Sequence, residues 1–231
     1  MKADDIAIVP LDLDKTESLE VDFAFECFGR IDILVNNAGI SQRSLARHTD
    51  VSVSERLSRI DYIGQVALAQ KYVSKLIETG KKGHIVNVSS VAGKLPVPFR
   101  SSYCAAKAAL NAYSNVLRLE LELEKLPISV STISPGGVAT DVSRNALDCN
   151  GKSFGEADEV TKTGMAVEEC VAEMLTAISN KIDDVCICSN RENLAVKLFG
   201  LLPLKAATMV MKPQYRKYLN STLDQVKKKS K

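Results

Sequence analysis

Five short β-branched runs punctuate the chain: IAIVPLDL at 6–13, IDILVNN at 31–37, HIVNVSS at 84–90, ISVSTIS at 128–134 and VCICS at 185–189. Longer segments with helical patterning lie between them, near 17–28, 53–78, 102–125 and 166–180. Short apolar runs bounded by Gly, Pro, Asn and Ser have the character of buried parallel strands. Their alternation with helices predicts βαβ units and an α/β fold, an open doubly wound parallel sheet. In such a sheet ligand chemistry gathers outside the carboxyl ends of the strands. A length of 231 residues suits one domain of this kind.

Small and polar residues collect at those strand ends. NNAG follows the second run at 36–39, SSVAG the third at 89–93, and PGGVAT the fourth at 135–140. Residues of this type let a ligand approach the main chain closely. Each cluster taken alone is also ordinary turn chemistry.

Composition removes several other functions. A net charge of +2 gives no warrant for nucleic-acid binding. The six cysteines show no metal or redox spacing, and Cys186 and Cys188 read as buried thiols sharing one face of a strand. MKADDIAIVP has no apolar stretch of the secretory kind. Segment 194–211 is the most apolar, but Lys197, Pro203 and Lys205 interrupt it. It reads as an apolar surface helix or a lid over a substrate pocket, with membrane contact as a further role. The basic tail at 227–231 is a solvated end or, on a membrane protein, a dilysine retrieval signal through Lys228 and Lys229.

SSYCAAKAAL at 101–110 carries the candidate chemistry. Tyr103 and Lys107 stand at i and i+4, on one face of a helix. A free tyrosine ionises near pH 10, too high for a base, and a neighbouring ammonium favours the phenolate. The pair therefore reads either as a coincidence on an exposed helix or as a tuned acid/base. Ser90, at the end of a predicted strand, places a hydroxyl where charge would develop on a substrate carbonyl oxygen.

NNAG at 36–39, VNVSS at 86–90, YCAAK at 103–107 and PGGVAT at 135–140, in this order and spacing, resemble the short-chain dehydrogenase/reductase family. The resemblance runs from about residue 6 to about residue 190. It implies a Rossmann-like fold and an NAD- or NADP-dependent oxidoreductase that interconverts an alcohol and a carbonyl, with NADP(H) slightly favoured. Tyr103 would be the acid/base, Lys107 would lower its pKa and hold the nicotinamide ribose, and Ser90 would orient the carbonyl. Asp12 and Leu13 would contact the adenine, while Asn36, Ala38 and Gly39 would line the adenosine side. Pro135, Gly136, Val138 and Thr140 would bracket the nicotinamide. The resemblance also implies a homodimer through helices near 53–78 and 102–125, and a place on the endoplasmic reticulum membrane, with the cytoplasm as the alternative. A small apolar carbonyl or alcohol, such as a steroid, retinoid or lipid carbonyl, fits the apolar 194–211 segment.

Two departures from the family pattern stand out. Asp61, in RIDYIGQ, occupies the place of an asparagine whose main-chain carbonyl holds a relay water in the family. Aspartate keeps that carbonyl and adds a charge. The family's opening strand, TGxxxGIG loop, helix and second strand have no counterpart before residue 6, and Gly151, Gly155 and Ala157 imitate the loop without following a strand. The expectation is an amino-terminally truncated domain at 1–190, followed by an apolar segment and tail at 191–231. The strand at 6–13 would then lack a neighbour, and the strand at 31–37 would expose an edge. The rival reading is a catalytically deficient relative that acts as a binding or dimerisation partner.

Overall fold

The computed structural model describes residues 6–19 and 21–229. The amino-terminal residues 1–5, the last two residues of the basic tail and the side chains of Lys228 and Lys229 lie outside what is described.

Four of the five runs form strands: β1 (Ile33–Asn36), β2 (Gly83–Val88), β3 (Ile128–Pro135) and β4 (Asp184–Ile187). They pair in the order β1-β2-β3-β4, every neighbour parallel, with Val35 opposite Val86, Val86 opposite Ser131 and Ile133 opposite Val185. Alternate residues of one strand face opposite sides, so each strand serves two cores. Ile85, Ile128 and Val130 pack with Phe25 of α1 (Val21–Phe28), Ala69, Tyr72 and Leu76 of α3 (Gly64–Thr79), and Leu121 of α4 (Ser101–Leu123). Val86, Ile133 and Ile187 pack on the other side against Cys170 and Ala177 of α6 (Val167–Ser179). Helices thus cover both faces, as the doubly wound reading requires.

The helical segment expected near 53–78 is two helices joined by a wide turn. α2 (Val51–Ser58) starts at Asp50, whose carboxylate accepts the Ser52 N–H at 2.8 Å. A π-helical turn, Arg59–Ile63, follows, and α3 continues to Gly80, which ends it in the left-handed conformation at φ +63°.

Residues 6–13 do not form the expected strand. A strand exists only when its N–H and C=O groups find a partner, and this segment runs past β1 without pairing to it. Ile8 is 89% exposed, and β1 leaves Ile33 and Val35 open at its outer edge. Between the segment and β1 lies a cavity of about 240 Å³, lined by Val9, Leu11, Leu13, Leu34 and Val35, with Asn36–Ala38 at its polar end.

The 194–211 segment is likewise not one helix. α7 (Asn190–Leu201) begins at a capping box in which Ser189 and Glu192 satisfy each other's backbone. It stops at Leu202, held extended before Pro203, and α8 (Leu204–Lys229) starts anew. α8 returns to the sheet domain through Val226, packed with Phe99, Ala146 and Phe154. Among the described residues no helix is long and apolar enough to cross a membrane. The predicted pocket wall does leave Leu194, Leu201 and Met209 exposed.

Candidate active site

The carboxyl ends of β2 and β3 are tied together by Ser90. Its Oγ accepts the Ala92 N–H at 3.1 Å and donates to the Pro135 carbonyl at 3.4 Å. Pro135 closes β3, and the next amide, Gly136 N–H, donates to Ile187 O of β4 at 2.9 Å. A Cβ at Gly136 would stand 2.7 Å from the Cys188 Cβ and from Glu192 Oε2, so only glycine allows this approach. Val138 is half-buried against Met165, and Thr140 lies exposed at the rim.

Opposite this bridge stands the first turn of α4. Lys107 is buried, and its Nζ donates to Val88 O at 3.0 Å while lying 5.9 Å from the centre of the Tyr103 ring. The helix has no side-chain cap at Arg100, the residue before it. Its place is fixed from a distance. Gln42 Oε1 accepts the Ser102 N–H at 2.8 Å, and Gln42 Nε2 donates to Ser44 Oγ at 2.9 Å and to Thr49 Oγ1 at 2.8 Å. Gln42 is fully buried, so the bond that orients the residue before Tyr103 is shielded from water.

Asp61 reaches the same centre from the π-helical turn. Its side chain is completely buried, Oδ1 accepts the Ile40 N–H at 2.8 Å, and Oδ2 has no hydrogen-bond partner. A Cβ at Gly39 would lie 2.8 Å from Asp61 Oδ1 and 3.4 Å from Lys107 Nζ, so both side chains close on one glycine. Burial pushes the Asp61 carboxyl up to about 6, against the pull of Lys107 and the Ile40 amide. Burial likewise pushes Lys107 down, with Asp61 opposing.

The phenol of Tyr103 behaves differently from the sequence expectation. It is raised to about 12, by burial first and by the Asp61 charge second, while the Ser90 side chain and Arg100 draw it down. Lys107 was expected to lower it, but the ammonium is turned to Val88 O and its field is offset by Asp61. The ionisation of this tyrosine therefore answers chiefly to its burial and to Asp61.

On the adenosine side the predicted residues divide. Leu13, Asn36 and Ala38 line the cavity between residues 6–13 and β1. Asn36 is itself a brace, donating to Asn87 Oδ1 at 2.8 Å, and Asn87 donates to Ser114 Oγ at 2.8 Å, which links β1, β2 and α4. Gly39 is placed against Asp61 rather than in the cavity. Asp12 does not line the cavity either: it sits on an exposed turn, accepting the Asp14 N–H at 3.0 Å and pairing with Lys15 at 3.6 Å. Gly151 and Gly155, both near φ +80°, lie in turns between β3 and the short helix α5 (Glu159–Lys162), not after a strand.

Sequence reading missed the polar framework that holds these parts. Arg43 and Asp158, each 1% exposed, pair at 3.0 Å, and Arg100 joins the same carboxylate. Arg43 also donates to Glu156 O at 3.0 Å and lies over the Phe154 ring. This pins the loop after β3 to the segment after β1. Arg43 and Gln42 stood in view within NNAGISQRSL, yet no local periodicity marks a loop residue as buried.

Known proteins resemble this chain in sequence and in fold. A family model described as short chain dehydrogenase matches residues 1–150. Dehydrogenase/reductase SDR family member 7B of Mus musculus is 38% identical over 178 residues, covering 77% of this chain and 54% of its own. A dehydrogenase/reductase SDR family protein 7-like of Anopheles gambiae is 38% identical over 217 residues, covering 93% and 67%. The chain thus spans about half the length of the mouse relative. Among solved structures, a short chain dehydrogenase/reductase from Burkholderia phymatum in complex with NAD has a TM-score of 0.72 at 19% identity, over 82% of this chain and 73% of that one. A short chain dehydrogenase from Burkholderia cenocepacia in complex with NADP has 0.68 at 22%, over 90% and 77%. These last two are likenesses of fold. The strand-end motifs, the parallel sheet and the matched family model agree, and the chain belongs to the short-chain dehydrogenase family.

Proposed function

We propose that this chain is an oxidoreductase that interconverts a carbonyl and an alcohol with a nicotinamide cofactor, Tyr103 exchanging the proton. The observation that carries the reading is the convergence of Ser90, Tyr103, Lys107 and Asp61 at the carboxyl ends of β2 and β3. Solved relatives of the fold hold NAD or NADP, which supports the cofactor class.

The donor set fits the ribose and nicotinamide end of such a cofactor. Lys107 uses one of its three N–H bonds on Val88 O, leaving two for ribose hydroxyls. Residues Pro135, Gly136, Val138 and Thr140 would border the nicotinamide, and Leu13, Asn36 and Ala38 the adenosine. Among the described residues no glycine-rich turn joins a strand to a helix, so no pyrophosphate contact is assigned. When bound, the cofactor supplies or takes the hydride. The protein's part is to hold the carbonyl oxygen between Ser90 Oγ and Tyr103 Oη and to move one proton at Tyr103 Oη. The main-chain carbonyl of Asp61 is the candidate anchor for a relay water.

A panel of carbonyls and alcohols, run with NADPH and NADH, tests the reading. Turnover that falls by about 10²- to 10⁴-fold in Tyr103→Phe, with cofactor binding kept, supports it. Absence of turnover across the panel removes it.

A second reading, self-association, has its own observation. Val116, Leu119 and Leu123 are 54%, 56% and 72% exposed along one face of α4, an apolar stripe without a partner in the single chain. A homodimer through α3 and α4 buries it, and a monomeric mass in solution at all concentrations contradicts this.

A further inference from the structure

Asp61 has a carboxylate where its hydrogen bond requires only a neutral acceptor. The bond to the Ile40 N–H uses Oδ1 alone, at 2.8 Å, and an asparagine oxygen would accept it equally well. The extra oxygen, Oδ2, is buried and has no hydrogen-bond partner. A buried acceptor left in this way costs stability whatever its role, and in a native fold it calls for an explanation. The π-helical turn that carries Asp61 is itself a geometry frequent at functional sites.

The surroundings identify what the charge acts on. A Cβ on Gly39 would stand 2.8 Å from Asp61 Oδ1 and 3.4 Å from Lys107 Nζ, and that Nζ lies 5.9 Å from the centre of the Tyr103 ring. Ile40, whose N–H Asp61 accepts, and Tyr103 pack against the same cluster of Val53, Leu57 and Leu147. Within this cluster of groups Lys107 acts on Asp61, while Asp61, Ser90, Arg100 and Cys104 act on Tyr103. Tyr103, Cys104 and Lys107 stand on α4, with Arg100 just before it. The loop after β1 presents the main chain of Gly39 and Ile40. A negative charge beside a phenol opposes the phenolate, and beside an ammonium it supports the ammonium.

We propose that Asp61 sets the protonation state of Tyr103: its carboxylate keeps the phenol protonated and holds the site in its carbonyl-reducing form far into the alkaline range. The inference rests on Tyr103 being the acid/base, as read above. In the reduction, a hydride from a dihydronicotinamide and the Tyr103 proton add to the carbonyl carbon and oxygen. The donor's C–H bond, the C=O π bond and the tyrosine O–H bond break, and new C–H and O–H bonds form on the product as the donor ring becomes the aromatic nicotinamide. The carbonyl gains two electrons, the dihydronicotinamide loses them, and water restores the phenol proton. Oxidation of an alcohol starts instead from the phenolate, the form Asp61 opposes. A catalyst leaves the overall equilibrium unchanged, so the pH limbs of the two directions move together.

The test compares wild type with Asp61→Asn, which keeps the Ile40 bond, and with Asp61→Glu, which keeps the charge. The Tyr103 ionisation is read from ring-labelled tyrosine by NMR, assigned with Tyr103→Phe, and needs no turnover. In Asp61→Asn it is expected to fall by about one pH unit or more, while Asp61→Glu stays near wild type. The alkaline fall of kcat/KM for reduction and the alkaline rise for oxidation are expected to move down by the same amount. If Asp61→Asn does not fold, Asp61→Ser, smaller and equally neutral, takes its place. Turnover with an unmoved or raised Tyr103 ionisation overturns the proposal alone. No turnover in wild type overturns it together with the oxidoreductase reading.

Discussion

Asp61 also makes a thermodynamic prediction that is independent of any substrate. Its carboxyl is raised from 3.8 to about 6 in the folded chain, chiefly by desolvation, with the attraction of Lys107 already contained in that value. A raised acid opposes folding wherever the unfolded chain ionises and the folded chain resists. The cost is absent below pH 3.8, grows between 3.8 and about 6, and is complete above that. Two pH units correspond to about 3 kcal/mol at about 1.4 kcal/mol each. Asp61→Asn removes the charge and keeps an acceptor for Ile40, so the variant is expected to be more stable than wild type by about 3 kcal/mol near pH 8. The gap is expected to close as the pH falls toward about 4. Urea unfolding of both proteins at several pH values measures it, because changes in midpoint at constant slope report stability directly. Titrating groups that Asp61 does not act on cancel in the difference; Lys107 and Tyr103, on which it acts, do not. A gap that does not vary with pH, or a variant weaker than wild type near pH 8, refutes the account of Asp61 as a buried, opposed charge.

Two further substitutions address the framework. Asp158→Asn leaves Arg43 without its buried counter-charge and is expected to cost about 3–5 kcal/mol in urea unfolding. Burial raises the Asp158 carboxyl, but Arg100, Thr161 and Arg43 outweigh it and hold the carboxyl below 3.8. Its contribution is therefore full above that pH and lost as acid takes it through the lowered value, so the wild-type advantage over Asp158→Asn narrows on acidification, and an advantage that widens contradicts the pairing. Gln42→Ala removes the distant cap of α4 and strands the Ser102 amide, at a cost of about 1–3 kcal/mol in thermal or urea unfolding; a neutral result would mean that α4 is positioned by packing alone.

What the sequence made legible follows from how local each cause is. β1 to β4 are announced by their own composition, because a buried parallel strand is apolar along its length. Residues 6–13 have the same composition and fail, since pairing belongs to two segments at once and β1's edge is left open on that side. The break between α7 and α8 is local too: Pro203 constrains Leu202 directly. Tyr103 and Lys107 were visible as an i, i+4 pair, and the structure keeps them on one helix face. Their electrostatics were not visible. The lysine's direction depends on Val88 O, and the tyrosine's raised ionisation depends on burial and on Asp61. Gln42 was unreadable for the same reason, its partner amide lying 60 residues further along the chain. Asp61 was noticed because it departs from a pattern, but its orphaned oxygen is a property of the packed turn.

Thermal unfolding of the purified chain against rising NADPH and, separately, NADH tests the central claim most directly. If the strand ends around Ser90, Tyr103 and Lys107 form a working nicotinamide site, the midpoint rises with the logarithm of cofactor concentration, reaching about 4 kcal/mol of stabilisation at about a thousand times Kd. A midpoint that ignores both cofactors at every concentration contradicts the site, and leaves the chain with the family's residues but without its ligand.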